Sequence, residues 1–242
     1  MLHLQHSATL AMAVSTIITL KFLSLFSFLL LLSISGVSSH SHQNAVRGTI
    51  PPTCKRIECP NHDVIEMGDG YEIRHYNNST VWKSTSSIQD ISLVQATRTG
   101  FRSLFDYIQG NNDWKQKIEM TAPVITEVSP SKSSFVVSFL VPKENQANPP
   151  PAKGLHVQRW KNVYVAARQF GGYVNDSNVE VEASALLASI AGTDWSGAID
   201  KSHRDGHASV YTVAQYNDPL EYDNRVNEIW LLFEMESERH AM

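Results

Sequence analysis

The chain has 242 residues, 42% of them hydrophobic and 9% aromatic, and its 20 basic and 24 acidic side chains leave a formal net charge of −4. That length and apolar content suffice for a sizeable core, which excludes an intrinsically disordered chain. It carries no basic run of the kind that tracks a phosphate backbone, which argues against a nucleic-acid partner.

The first segment in chain order is apolar. Lys21 precedes the run from Phe22 to Leu32, which has signal-peptide rather than membrane-spanning length, and Ser33 to Ser39 supplies small residues at cleavage positions. Residues 1–39 are read as a secretory signal, with no membrane contact after cleavage and an extracellular or vacuolar destination. An uncleaved anchor is the alternative, because apolar residues resume upstream at Leu10. Residues 40–60 form a polar N-terminal arm holding the chain's 2 cysteines, Cys54 and Cys59. Two close cysteines in an oxidising compartment are expected to pair, here clipping the arm. A zinc site is the weaker reading, since a second thiolate pair is missing. Asn77, Asn78 and Asn175 each open an Asn-x-Ser/Thr triplet, and in an exported chain these turn positions become glycosylation acceptors.

Tyr71 to Tyr76 alternates as a half-buried strand does, Asn77 to Ser79 turns, and Val81 to Thr85 continues as strand. Asp90 is the expected N-cap of a helix running to about Gln109, with Val94, Phe101, Phe105 and Ile108 at helical spacing and Gly110 at the C-terminal cap. Strands are expected over Ile118–Val128 and Phe135–Val141. Asn148 to Gly154, with its three prolines, reads as a stiff linker, after which the order repeats. His156 to Phe170 is strand-rich, Ser177 to Glu180 reads as a capping box, and Val179, Ala183, Leu187 and Ile190 share a face of the second helix. Two strands, Ser209–Tyr216 and Asn227–Glu234, complete the pattern. Each half, about 61–147 and 154–236, therefore reads as a β-α-β-β unit, followed by a tail at 237–242. One such unit cannot cover its own sheet, so the two are expected to share a core in one α+β domain over 61–236, with about eight antiparallel strands flanked by two helices. Two independent domains are the alternative.

No catalytic motif assembles. The chain lacks a nucleophile elbow, a His-Glu-x-x-His pair and a phosphate-cradling loop, so it reads as a non-enzyme. The histidines are scattered, and without Cys-x-x-Cys-His covalent haem attachment is excluded. No metal site is assigned. What remains is an apolar groove beside the first helix, offered by Phe101, Leu104, Phe105 and Met120, with Arg98 one turn before Phe101. A flat apolar ligand bearing carboxylates would use that combination. Phe and Leu at helical spacing also describe an ordinary core face, and a lone helical arginine a solvated one.

Gly100-Phe-x-x-Leu-Phe-x-Tyr-Ile-x-Gly-x-Asn112 followed by Lys117-Ile-x-Met-Thr-Ala-Pro-Val124 resembles the signature of the SOUL haem-binding proteins. Cys54-x-x-Ile-Glu-Cys-Pro60, Gly70-Tyr-Glu-Ile-Arg74, Gln169-Phe-Gly-Gly172, Tyr216-Asn-Asp-Pro219 and Arg225-x-Asn-Glu-Ile-Trp230 extend the resemblance over nearly the whole mature chain. The leader and the cysteine pair look like the plant secretory-pathway branch. The resemblance implies a distorted eight-stranded antiparallel barrel flanked by two helices, built from a duplicated β-α-β-β unit. It also implies non-enzymatic, non-covalent binding of haem or another tetrapyrrole in a hydrophobic cleft beside the first helix, as carrier or buffer. By the same resemblance Arg98 is a propionate partner, and Phe101, Leu104 and Phe105 are wall positions. Related proteins carry methionines in this helix where this chain has Phe101 and Phe105. The alternatives are a protein-interaction or small-effector module on the same fold with haem binding lost, and an enzyme acting on a tetrapyrrole.

Overall fold

The computed structural model describes residues 50–76, 80–204 and 209–235. The expected signal segment, Asn77, Asn78 and the tail at 237–242 lie outside the described residues. The strands are β1 (Asp63–Met67), β2 (Glu72–Tyr76), β3 (Thr80–Thr85), β4 (Ile88–Gln89), β5 (Val124–Val128), β6 (Ser134–Leu140), β7 (Leu155–Trp160), β8 (Val163–Gly171), β9 (Tyr211–Gln215) and β10 (Val226–Phe233). The helices are α1 (Leu93–Ile108), α2 (Asp176–Ile190) and α3 (Ser196–Arg204). None of these helices is long and apolar enough to cross a membrane.

All strands join one curled antiparallel sheet in the order β1-β2-β8-β10-β9-β5-β6-β3-β7, with β4 paired to β6. Exchanging β2, β3, β5 and β6 with β7, β8, β9 and β10 reproduces that order, so these eight strands obey a two-fold relation centred on the β5–β9 ladder, where Thr126 faces Val213. The α+β barrel-like fold expected from the sequence is the fold observed. Beyond the eight strands and two helices it carries the edge strand β1, the two-residue β4 and the helix α3. Of the stretch 118–128, only Val124–Val128 enters the ladder.

Strand alternation sends successive side chains to opposite faces, and here both faces are covered. On β5, Val124 and Val128 face the helices while Ile125 faces a second core of Tyr76, Trp82, Trp160 and Trp230. The N-terminal arm lies on that second core through Cys54, Ile57 and Cys59. Cys54 and Cys59 are joined by a disulfide. Glu58 fixes the arm further, its carbonyl accepting from the Ala122 N–H at 2.9 Å and its Oε1 from the Lys143 N–H at 2.9 Å.

The helix signals are displaced by small distances. Ser92, not Asp90, caps α1, its hydroxyl accepting from the Gln95 N–H at 3.2 Å. Asp90 braces the approach by accepting from the Ile91 and Ser92 N–H groups. The capping box of α2 is built by Asn175 and Asn178, two residues before the Ser177–Glu180 pair expected for it. The buried face of α2 is Val179, Ala183, Leu186 and Ile190, and Leu187 is 46% exposed. Gly110 takes φ +102° just beyond α1, a left-handed conformation that favours glycine at a helix end. Gly100 lets α1 sit hard against β6: a Cβ there would lie 2.4 Å from the Cβ of Val137.

The inner face also buries charge. Arg74 on β2 donates from Nη1 to Glu228 Oε2 at 2.7 Å and from Nη2 to Glu228 Oε1 at 2.8 Å. Glu228 on β10 also accepts from Tyr216 Oη at 2.9 Å, Trp230 Nε1 at 2.7 Å and Gln169 Nε2 at 3.3 Å. Burial opposes ionisation of Glu228, but the Arg74 charge and these donors outweigh it and hold the carboxyl at about 2, below its ordinary 4.5.

Two outcomes follow from this packing. Gly100→Ala should cost about 1–3 kcal/mol by overpacking α1 against β6, and an unchanged urea midpoint would show that the contact has slack. Because the folded pKa of Glu228 lies below its unfolded value, its stabilisation is complete above pH 4.5 and lost as pH falls towards 2. Glu228→Gln leaves the buried Arg74 charge with the longer Glu72 contact alone, so it should cost roughly 3 kcal/mol at neutral pH and flatten that acid slope. Acid titrations of unfolding free energy for both proteins check this, and parallel slopes would refute it.

Candidate functional site

The surface around α1 follows from its helical spacing. Leu93, Ala96, Gly100, Leu104, Tyr107 and Ile108 are buried against the sheet, which leaves two flanks of different chemistry. One flank carries Phe101 and Phe105, four residues apart, with rings stacked at 5.7 Å and 13° between planes. Phe101 is half-buried, edge-on to Phe139 of β6 at 5.3 Å, whereas Phe105 is 41% exposed. Met120, in the segment leading into β5, is also half-buried and packs against the same cluster as Phe101. Arg98 is exposed one turn before Phe101. Among the described residues no hydrogen bond or ion pair engages its guanidinium.

The opposite flank presents Thr99, Ser103 and Asp106 to a cleft of about 540 Å³ whose far wall includes Lys153 and Leu155. Its hydroxyl, carboxylate and ammonium lining suits a polar occupant. The apolar surface able to take a flat ring system is on the phenylalanine side.

The two flanks are held in place from behind. Lys83 of β3 is buried, lies 4.8 Å from the centre of the Tyr107 ring and donates to the Pro150 carbonyl at 3.0 Å. Tyr107 Oη donates to the same carbonyl at 3.0 Å, and burial pushes that phenol up to about 12, so it remains a donor. The proline stretch expected as a linker is thus packed onto α1, with Pro149 and Pro150 buried.

The structure places Arg98, Phe101 and Phe105 on one flank of α1 and packs Met120 against the core cluster that Phe101 also borders. Leu104 is the exception. It is fully buried, because its place in the helical repeat coincides with the face that meets β6, and it offers no open surface beside α1. Sequence reasoning missed Arg102, which is exposed four residues after Arg98 on the same ridge, although the i, i+4 spacing was there to be read. It also missed that Arg74 and Glu228 meet, since that pairing depends on strand register. Asn175 is exposed and uses its side-chain oxygen for the α2 cap.

The described histidines have other engagements or settings. His75 stacks on Tyr164 at 4.2 Å, and His203 Nε2 lies 3.2 Å from the Leu232 carbonyl oxygen. Burial lowers the pKa of both His203 and His62. Among the described residues no group of three or more His, Cys, Asp or Glu is arranged to hold a metal ion.

Comparison with known proteins gives this flank its context. Human heme-binding protein 2 is 36% identical over 169 residues, spanning 67% of this chain and 77% of that protein. Mouse heme-binding protein 2 is 31% identical over 204 residues, spanning 81% and 91%. Among solved structures, the EcmrR C-terminal domain aligns over 68% of this chain and 98% of its own, with 10% identity and a TM-score of 0.43. The family model of the SOUL heme-binding proteins matches residues 57–232, from the disulfide-clipped arm to the last strand, and the chain belongs to that family.

Proposed function

We propose that this protein binds haem or another tetrapyrrole non-covalently on the phenylalanine flank of α1, as a carrier or buffer rather than a catalyst. The observation that carries the reading is the stacked pair Phe101 and Phe105 beside the unengaged Arg98, in a chain whose relatives are named heme-binding proteins. Phe101 and Phe105 fit a flat macrocycle because their stacked rings offer apolar surface open to solvent, and Met120 adds to the apolar cluster that Phe101 borders. Covering that surface releases about 25 cal/mol per Å². Arg98 and Arg102 fit the acid groups, since a guanidinium pairs with a carboxylate through two parallel N–H donors. Haem, when bound, would supply its own redox and ligand-exchange chemistry. The chain's part is to shield one ring face and anchor the carboxylates. The leader, the disulfide and the exposed Asn175 support a role in the secretory pathway, extracellular or vacuolar, with Asn77 or Asn78 as a second glycan position.

Titration of the purified protein with haem and with protoporphyrin should give a saturable Soret change for both. Arg98→Glu should weaken binding about fivefold, the worth of an exposed charge pair of about 1 kcal/mol. Phe105→Asp, which changes an exposed ring and spares the core, should weaken it roughly thirtyfold by placing about 2 kcal/mol of desolvation cost under the macrocycle. No saturable change with either ligand would sink the proposal and leave the small-effector or protein-interaction reading of the fold.

A further inference from the structure

On the face of the sheet turned away from α1, the clipped arm roofs a second cleft of about 350 Å³. Its roof is Pro51, Pro60 and the Cys54–Cys59 disulfide, its rim includes Val64 of the edge strand β1, and its floor includes Arg74, Tyr76 and Tyr216. The floor is polar in an unusual way. Tyr76 is fully buried and Arg74 is 5% exposed, yet neither Tyr76 Oη nor Arg74 Nε has a hydrogen-bond partner of acceptable geometry among the described residues, and His62 Nδ1 in the same lining has none either. The guanidinium is near enough to the Tyr76 hydroxyl to favour its ionised form, but burial dominates and pushes that phenol up to about 12. Tyr76 is therefore a neutral donor at any physiological pH.

Buried groups of this kind are almost always satisfied, because an orphaned donor costs about 1–3 kcal/mol. The Glu228 carboxylate is too fully engaged to supply the missing partner. Both oxygens of Glu228 already accept from Arg74, Tyr216, Trp230 and Gln169, and Glu72 accepts from Arg74 Nη2 at 3.3 Å. The Arg74 charge is thereby more than matched by two carboxylates, and what the cleft offers is the Tyr76 O–H and an Arg74 N–H as donors with the His62 Nδ1 beside them, and no net positive charge. The prolines, the disulfide and Val64 give the cleft an apolar roof, Asn61 and His62 add polar edges, and the volume lies within the range of about 300–1,000 Å³ found for small-molecule sites.

We infer that this arm-covered cleft is a second binding site, for a compact uncharged molecule whose carbonyl or hydroxyl oxygen accepts from Tyr76 and Arg74 while its apolar body lies under the disulfide. An anion would meet the Glu72 and Glu228 carboxylates, and a cation would meet the Arg74 guanidinium, with Glu228 fully engaged and Glu72 already shared with Arg74. The site is separate from the proposed tetrapyrrole surface, because β5 sends Val124 towards α1 and Ile125 towards this side.

Acetophenone, benzoate and benzylammonium share a size and differ in charge, so they test the inference on the intact protein. The reporter is the Trp230 indole N–H resonance, since that group bonds to Glu228 beneath the cleft. Acetophenone should shift it saturably, with benzoate and benzylammonium at least fivefold weaker. Tyr76→Phe, which deletes an orphaned hydroxyl and keeps the ring, should weaken acetophenone about fivefold or more without lowering the unfolding midpoint. Should that variant fold poorly, Val64→Trp, placed at a half-exposed rim position, should block acetophenone sterically. Absence of a saturable shift, equal binding of the three probes, or indifference to both substitutions would overturn the inference and assign the buried donors to water alone.

Discussion

The Glu228 carboxylate is the point on which the two halves of the chain depend. It lies on β10, next to β8, which in turn pairs with β2, so the Arg74–Glu228 contact crosses from the first half to the second. Tyr216 at the end of β9, Trp230 on β10 itself and Gln169 on β8 all donate to the same two oxygens. A buried carboxylate without partners would be prohibitively costly, so this convergence specifies the register of β2, β8, β9 and β10 together. A one-residue slip in any of them would turn its donor to the helix-covered face and leave the charge exposed to hydrocarbon.

The helix-covered face is specified differently, by closeness rather than by charge. Gly100 allows α1 to approach β6 until backbone meets the Val137 side chain, and Lys83 and Tyr107 both reach the Pro150 carbonyl to fix the helix from its far end. With the helix rotation so fixed, the assignment of residues to core or surface is no longer free. Leu104 must enter the core, and Phe105 must leave it.

This explains which parts of the molecule were legible in the sequence. The two-fold succession of strands and helices was visible because alternation and helical periodicity are local, and Gly110 announced the end of α1 through a backbone need that only the chain's own geometry imposes. Helix rotation is set by the partner surface. A stripe of Val94, Phe101, Phe105 and Ile108 is a reasonable apolar face until Gly100 is known to touch β6, and Leu187 and Leu186 are equivalent candidates until the sheet chooses between them. Capping moved by two residues at each helix because Asp90, Ser92, Asn175 and Ser177 are all competent caps, and tertiary contacts decided. At α1 the deciding contact is Asp176, the first residue of α2, which accepts from the Ser92 hydroxyl at 2.7 Å and the Val94 N–H at 3.3 Å. Arg74, Glu228 and Tyr216 are far apart in sequence, and only the register brings them together.

The replacement of methionine by phenylalanine on the α1 flank then acquires a physical meaning. A methionine wall is adaptable and has to be ordered when a ligand arrives, with several rotors to freeze. Two phenylalanine rings, already stacked 13° from parallel and braced by Phe139, present a flat surface with little left to order. Preorganisation of that kind favours rigid planar ligands and penalises bent or bulky ones, since the rings cannot yield without losing their contacts in the core. In the proposed binding mode the flank of α1 would discriminate by flatness, leaving the Arg98 and Arg102 ridge to discriminate by charge. Those two selections are independent because one is anchored in the β6 core and the other stands free in solvent.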